Sequence, residues 1–429
     1  MVLARFLLVL CVFLAPLRAL AAAPTDLPSL LLVTAAASEA AYRGELPELL
    51  RARLVAAGWQ IASYETPGHR GTVGRFFHMV RTDADGAETH LIAFPGTERG
   101  SDVWTDLRIG RAVFGGTTPA EFLSMREAPV TERGETPLVH RGFLDYTQAA
   151  LFTDALPAYG GRTAGEAIAD ELRAYPDAQI YLTGHSLGGA AAVLAAARLS
   201  DLGVSPEQLI VTTFGAPAVG NAAFARRYEG KFTLRRVVMS GDPMKDVLAK
   251  PLGFQQFGER VTWSPARSVA KFPHAMTVYV DAAIRRLCDA YSGERAYLFL
   301  MGTPDRTAGR TLYTLPIETK MDEVLTEDAP YMAAVLRDAL HVRSAHTVFA
   351  AGGGGLHEHL AAARAAGAQE MIAYRIAGTK IRDAHETYRI TLEHAVYDMD
   401  GNLIAAGSRS ARTGTLTPIE TVLYLFAQD

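Results

Sequence analysis

Apolar positions recur along this chain in two rhythms, one of period about 3.6 and one of short unbroken runs. In "TAGEAIADELRAYPDA", Ile168, Leu172 and Tyr175 fall at helical spacing. Thr163 and Glu166 are placed as a capping box ahead of them, and Pro176 is the stop. "AQIYLT" follows as a brief buried strand, and "LGGAAAVLAAARL" reads as a helix closed by Asp201 and Gly203. Earlier, "RFFHMVRT" and "ETHLIAF" flank Asp85-Gly86, the signal of a hairpin turn. Later, "LRRVVMSGDPM" reads as a strand ending at Asp242-Pro243. Strands alternating with helices predict an α/β fold with a mostly parallel central sheet.

From about Ser292 the pattern changes. A helix is expected over Glu327 to Leu340, then a glycine run at Gly352 to Gly355 and a helix in "LHEHLAAARAAGA". Strands follow in "EMIAYRIAG" and "ETYRITLEHAVYD", and Asp400-Gly401 turns the latter into "NLIAAGSRSA". Tyr388, Ile390, Leu392 and Val396 share one face at period 2. This predicts a smaller α+β domain over residues 293–429, after a larger domain over 23–292.

The first residues have a different character. "MVLARFLLVLCVFLAPLRALAAAP" places Arg5 before an apolar stretch and then small residues at Ala19, Ala21, Ala22 and Ala23. That is the layout of a secretory signal over residues 1–22, which predicts an exported protein: secreted, periplasmic or envelope-associated. Cys11 would leave with it, and Cys288 alone remains, so no internal disulfide is expected. With 49% hydrophobic and 21% charged residues the chain is globular, and a net charge of -4 argues against a nucleic-acid partner.

Candidate chemistry centres on Gly184-His185-Ser186-Leu187-Gly188, which fits G-x-S-x-G. Chance supplies such a string in roughly one chain in eight of this composition, so the context must carry the claim. Here it lies between a strand and a helix, where flanking glycines permit the tight turn that exposes a nucleophilic serine. A serine hydroxyl needs a base, and the base an orienting acid. Asp242, emerging at a strand's C-terminal end, is the candidate acid, with Asp246 its local rival. His274 is the sole histidine between Ser186 and residue 340, and is the candidate base. Oxyanion donors are expected from the Leu187 backbone N–H and from Thr97, which follows the strand His90 to Phe94 and Pro95-Gly96. His357 and His359 lie two apart on a helix and face different directions, so no metal site is expected, and no cofactor is needed.

Seven ordered strings together resemble one family, the class 3, fungal-type lipases of the α/β-hydrolase superfamily. They are "AYRGEL", similar to the start of the family's N-terminal helix, then "FPGTERGSDVWTDL", "VHRGFLDY", "LTGHSLGGAAAVLAA", "TFGAPAVGNAAFARRY", "RRVVMSGDPM" and "FPHAMTVYV". The resemblance covers about residues 30–285 and implies a triad of Ser186, Asp242 and His274, with Thr97 and Leu187 at the oxyanion hole. It also implies structural roles for His140, Gly142, Gly184, His185, Gly188, Gly215 and Pro217. Two positions depart from the family: Pro95 stands where Arg is usual, and Gln256 lies in a segment that often holds a histidine.

A lid is further implied over Gly100 to Gly115, with Trp104, Leu107, Ile109, Val113 and Phe114 on its apolar face; a helix packed permanently on the core is the alternative. The expected function is an exported serine hydrolase of carboxylic esters, such as acylglycerols or other lipid esters, working through an acyl-enzyme. Phospholipase A1 or short-chain carboxylesterase activity, a peptidase or thioesterase on the same scaffold, and a catalytically silent lipid-binding envelope protein stay open. Expected partners are the lipid or ester substrate and, transiently, a lipid surface. The C-terminal module faintly resembles accessory domains of bacterial envelope proteins and would bind an envelope partner.

Overall fold

The computed structural model describes residues 26–68, 71–82, 86, 88–97, 110–130, 134–247, 252–269, 272–291, 311–343, 346–381 and 387–428. Contacts group them into two units: residues up to Pro47 with Trp59–Trp263, and Glu48–Gly58 with Ser264 onward. The dividing point after Trp263 lies upstream of the change in pattern at Ser292. It falls there because the helix Met276–Ala290 packs on the helix Ala329–Arg343.

The first unit is built on β1 (Trp59–Pro67), β2 (Val73–Thr82) and β3 (Glu88–Phe94). Two short antiparallel ribbons follow: β4 (Arg111–Val113) with β5 (Leu138–His140), and β6 (Ala155–Leu156) with β7 (Arg162–Thr163). The sheet is completed by β8 (Ile180–His185), β9 (Leu209–Phe214), β10 (Thr233–Met239) and β11 (Glu259–Trp263). Its order is β1-β2-β3-β8-β9-β10-β11. Strands β3, β8, β9, β10 and β11 are parallel, while β1 and β2 close one edge as an antiparallel meander. The expected mostly parallel sheet is what forms. All six residues of β8 are buried, as a parallel strand covered on both faces requires. Gly86 has φ +83°, the left-handed backbone that the predicted turn between β2 and β3 needs; Asp85 lies outside the described residues.

Helices dock on the sheet through small residues. In the helix Leu187–Asp201 every residue from Gly188 to Leu199 is buried. Thr163 caps the helix Ala164–Ala174 as expected, accepting from the Glu166 N–H, and Ile168 and Leu172 are buried; Tyr175 stands past its end and is exposed. The helix Leu27–Ala40 packs on β8, where Ser38 Oγ and Thr183 Oγ1 share a 2.9 Å hydrogen bond. The segment "AYRGEL" begins as the turn after that helix and runs into the next one, Glu45–Ala56, with Gly44 at φ +133°.

One expectation is corrected here. The C-terminal end of the supposed lid is part of the core: Arg111–Val113 forms β4, and Phe114 packs edge-on against Phe122, Phe224 and Tyr228. A ring so enclosed cannot swing out without opening a cavity. Trp104, Leu107 and Ile109 lie outside the described residues.

The second unit has its own six-stranded sheet, made of β12 (Leu312–Thr314), β13 (Glu318–Met321), β14 (Thr347–Phe349), β15 (Glu370–Lys380), β16 (Tyr388–Tyr397) and β17 (Leu403–Arg412). Antiparallel β15, β16 and β17 are the long strands predicted. Short β12 and β13 both lie parallel along one side of β15, and β14 pairs with β12. The helices Ala329–Arg343 and Leu356–Ala365 match their predictions within three residues. The closing helix Pro418–Ala427 was not among the expected elements; its capping box, Thr417 with Glu420, is the signal that marks it.

Candidate active site

Ser186 sits at the turn from β8 into the helix Leu187–Asp201, with φ 55° and ψ −119°. It is the one described non-glycine residue with positive φ. Such a conformation costs about 1–3 kcal/mol and persists only where its surroundings over-determine it. They do so here. The Ser186 N–H donates to the Phe214 carbonyl of β9 (3.0 Å), and its own carbonyl accepts from Ala190 in the helix (3.1 Å). The glycines leave the room this turn needs. A Cβ on Gly184 would stand 2.3 Å from the Gly188 carbonyl carbon, and one on Gly188 would stand 2.1 Å from the Phe94 carbonyl oxygen at the end of β3. Real Cβ atoms do not approach so closely, so helix and strand can meet only as glycine. Ser186 is 4% exposed.

The Leu187 N–H opens the helix and so belongs to the first four donors, which have no acceptor within it. The end of β3 lies beside this turn, and residues 95–97 continue from it, bringing Thr97 to the same end of the sheet as Leu187. The Pro95 carbonyl lies 3.4 Å from Tyr146 Oη, and the same hydroxyl donates to the Arg75 carbonyl at 3.0 Å.

Asp242 follows β10, so it emerges at the same, C-terminal, end of the parallel strands as Ser186 after β8. It is 1% exposed, and its Oδ1 accepts from the Met244 N–H at 2.8 Å, capping the turn Pro243–Asp246. Asp246 ends that turn, and its side chain lies outside the described residues. His274 is placed in the second unit, in the turn ahead of the helix Met276–Ala290, partly buried and edge-on to the exposed Phe272 ring.

The remaining family-like positions are structural in their contacts. His140 caps the helix Arg141–Gln148 by accepting from the Phe143 N–H at 3.3 Å, and Gly142 lies in that helix's first turn. Burial pushes the His140 imidazole down to about 4, which keeps it neutral and able to accept. Gly215 has φ 56° and donates to the Val237 carbonyl at 2.9 Å; Pro217, two residues on, is buried. Gln256, where the family often carries histidine, donates from Nε2 to the Ala216 carbonyl at 3.2 Å.

Tyr42 is a contributor that sequence reasoning missed. Its hydroxyl lies 2.7 Å from Nδ1 of His185, the residue before the serine. A Cβ on Gly96 would stand 2.0 Å from the same hydroxyl. Tyr42 thus clamps the serine turn to the strand end that leads to Thr97. The two partners are 143 residues apart in the chain, so no local pattern could pair them.

The sequence model of the family "Lipase (class 3)" matches residues 91–250, a stretch that contains Thr97, Ser186 and Asp242 and ends before His274. A lipase of Rhizomucor miehei is 35% identical over 127 residues, 28% of this chain and 31% of that one. Secreted mono- and diacylglycerol lipase 2 of Gibberella zeae is 43% identical over 81 residues, 16% of this chain and 20% of that one. The chain therefore spans about a third or less of the length of these curated relatives. Among solved structures, lipase II from Rhizopus niveus overlaps 57% of this chain and 83% of its own at 23% identity, with a TM-score of 0.40. Residues 91–250, which carry the centre of the parallel sheet and the turn at Ser186, are thus similar to the class 3 lipase family.

Proposed function

We propose that the protein is an exported serine hydrolase of carboxylic esters, acting on acylglycerols or related lipid esters. Ser186 Oγ attacks the ester carbonyl while His274 takes its proton, and Asp242 orients and stabilises the resulting imidazolium. The developing oxyanion lies against the Leu187 N–H and Thr97. His274 returns the proton to the departing alcohol, leaving the acyl group on Ser186. A water activated by the same histidine then releases the acid and restores the serine. No metal or redox group enters this chemistry. Trp104, Leu107 and Ile109, in the family's lid position, would meet a lipid surface transiently, and the second unit would hold an envelope partner.

The observation that carries this reading is the Ser186 conformation, a strained positive φ on a non-glycine residue at a strand-to-helix turn. A fluorophosphonate probe should label Ser186, and p-nitrophenyl esters should turn over. Ser186→Ala should abolish labelling and lower kcat by about 10⁶. Labelling of another serine, or an active alanine variant, would sink the assignment. A panel of mono-, di- and triacylglycerols and phospholipid esters then resolves the substrate class.

A further inference from the structure

The second unit contains a cavity of about 580 Å³. Its floor follows from strand register. On β15 and β16 the cross-strand pairs Met371–Tyr397, Ala373–Ala395 and Arg375–Glu393 alternate with residues of the opposite face. Met371 and Tyr397 pack with Leu360 and Ala363 of the helix Leu356–Ala365, so these pairs lie on the face that helix covers. Tyr374 turns to the other face, against Phe426. The small Ala373–Ala395 pair therefore leaves a trough between a tyrosine ring and an ion pair, whose ends are four residues apart, about 13 Å.

His359 lines the same cavity. It is 9% exposed, its ring lies obliquely beside Tyr313, and it makes no hydrogen bond with a described residue through its ring. The adjoining loop contributes Gly354 at φ +110°, where a Cβ would stand 2.9 Å from Glu358 Oε2 and 3.4 Å from His359 Nε2. The ion pair is close, with Arg375 Nε donating to Glu393 Oε2 at 2.6 Å, and Glu318 adds a second carboxylate to the lining.

These groups select against most ligand classes. An acyl chain in the trough would cover Arg375, Glu393 and His359 without offering any of them a hydrogen bond. A phosphate or sulfate would face two carboxylates against a single guanidinium that is already paired. A neutral polyol meets every group at once, because hydroxyls both donate and accept. The planar carboxylate, guanidinium and imidazole suit neighbouring hydroxyls, and the Tyr397 ring suits the C–H face of a sugar. The volume is within the range of small-molecule sites. We infer that this cavity binds a neutral carbohydrate, with room for two pyranose rings. The inference is independent of the ester hydrolase reading, since it uses residues of the second unit alone.

Isothermal titration of the full chain with cellobiose, maltose, lactose and N,N′-diacetylchitobiose tests it, with spermidine, inorganic phosphate and octanoate alongside. At least one disaccharide should bind saturably at millimolar concentration or below. Glu393→Gln, which keeps volume but removes the charge, should weaken that binding about tenfold. Ala395→Trp, which fills the trough, should abolish it; should the tryptophan prevent folding, Glu393→Gln decides alone. Absence of disaccharide binding, tighter binding of spermidine, phosphate or octanoate, or full affinity in a folded variant would overturn the inference.

Discussion

Glu39→Gln removes a carboxyl that the first unit buries almost completely. Glu39 lies in the helix Leu27–Ala40, where every residue from Leu30 on is buried. Burial alone pushes its carboxyl up from 4.5 to about 7. The folded state therefore holds this proton at pH values where the unfolded chain has released it. By linkage, stability contributed by the protonated group is intact below about pH 4.5, falls as pH rises, and is lost above about 7. At about 1.4 kcal/mol per pH unit, that interval corresponds to roughly 3 kcal/mol. Glutamine has nearly the same shape and does not ionise, so the variant escapes the loss. Its Tm relative to the parent should be about 5–10 °C higher at pH 8 than at pH 4.5. Thermal melts of both proteins at pH 4.5, 6 and 8 provide the measurement. Whatever the buried amide itself costs is present at every pH and cancels in that comparison. Asp338, which burial raises to about 8, titrates equally in both proteins and cancels as well. A Tm difference that stays constant across pH, or that falls towards pH 8, would refute the reasoning.

Two further outcomes follow from the site. Asp242→Asn should lower kcat by about 10⁴ with little change in Tm, since the amide oxygen can still accept from the Met244 N–H; Asp246→Asn should leave steady-state kinetics intact, and the reverse pattern would move the acid to Asp246. Gly188→Ala should cost about 1–3 kcal/mol by forcing the serine's helix off the end of β3, whereas Gly115→Ala, whose Cβ meets nothing within 4 Å, should stay within about 0.5 kcal/mol; equal denaturation midpoints would show that the close approach at Gly188 is not needed.

Much of the first unit was legible because its signals are local. Strand β8 opens with the apolar run Ile180-Tyr181-Leu182 after a proline stop and runs into a glycine-flanked turn, and the helix after it is rich in alanine. The Ser186 turn announces itself through Gly184 and Gly188, whose missing side chains are the condition for it. The second unit's short strands were not legible. β13 is "ETKM", with three of its four residues exposed, and β12 and β14 are three residues each; their extended form comes from pairing with β15 and β12, not from any pattern of their own. Phe114 reads equally well as a lid residue or a core residue, and only the rings of Phe122, Phe224 and Tyr228 around it decide which. The Tyr42–His185 clamp and the trough beside His359 are likewise products of distant segments meeting. Periodicity, caps and turn residues act over a few neighbours and are written in the chain; burial, pairing partners and cavities depend on which faces meet after folding, and neighbouring residues carry no record of that.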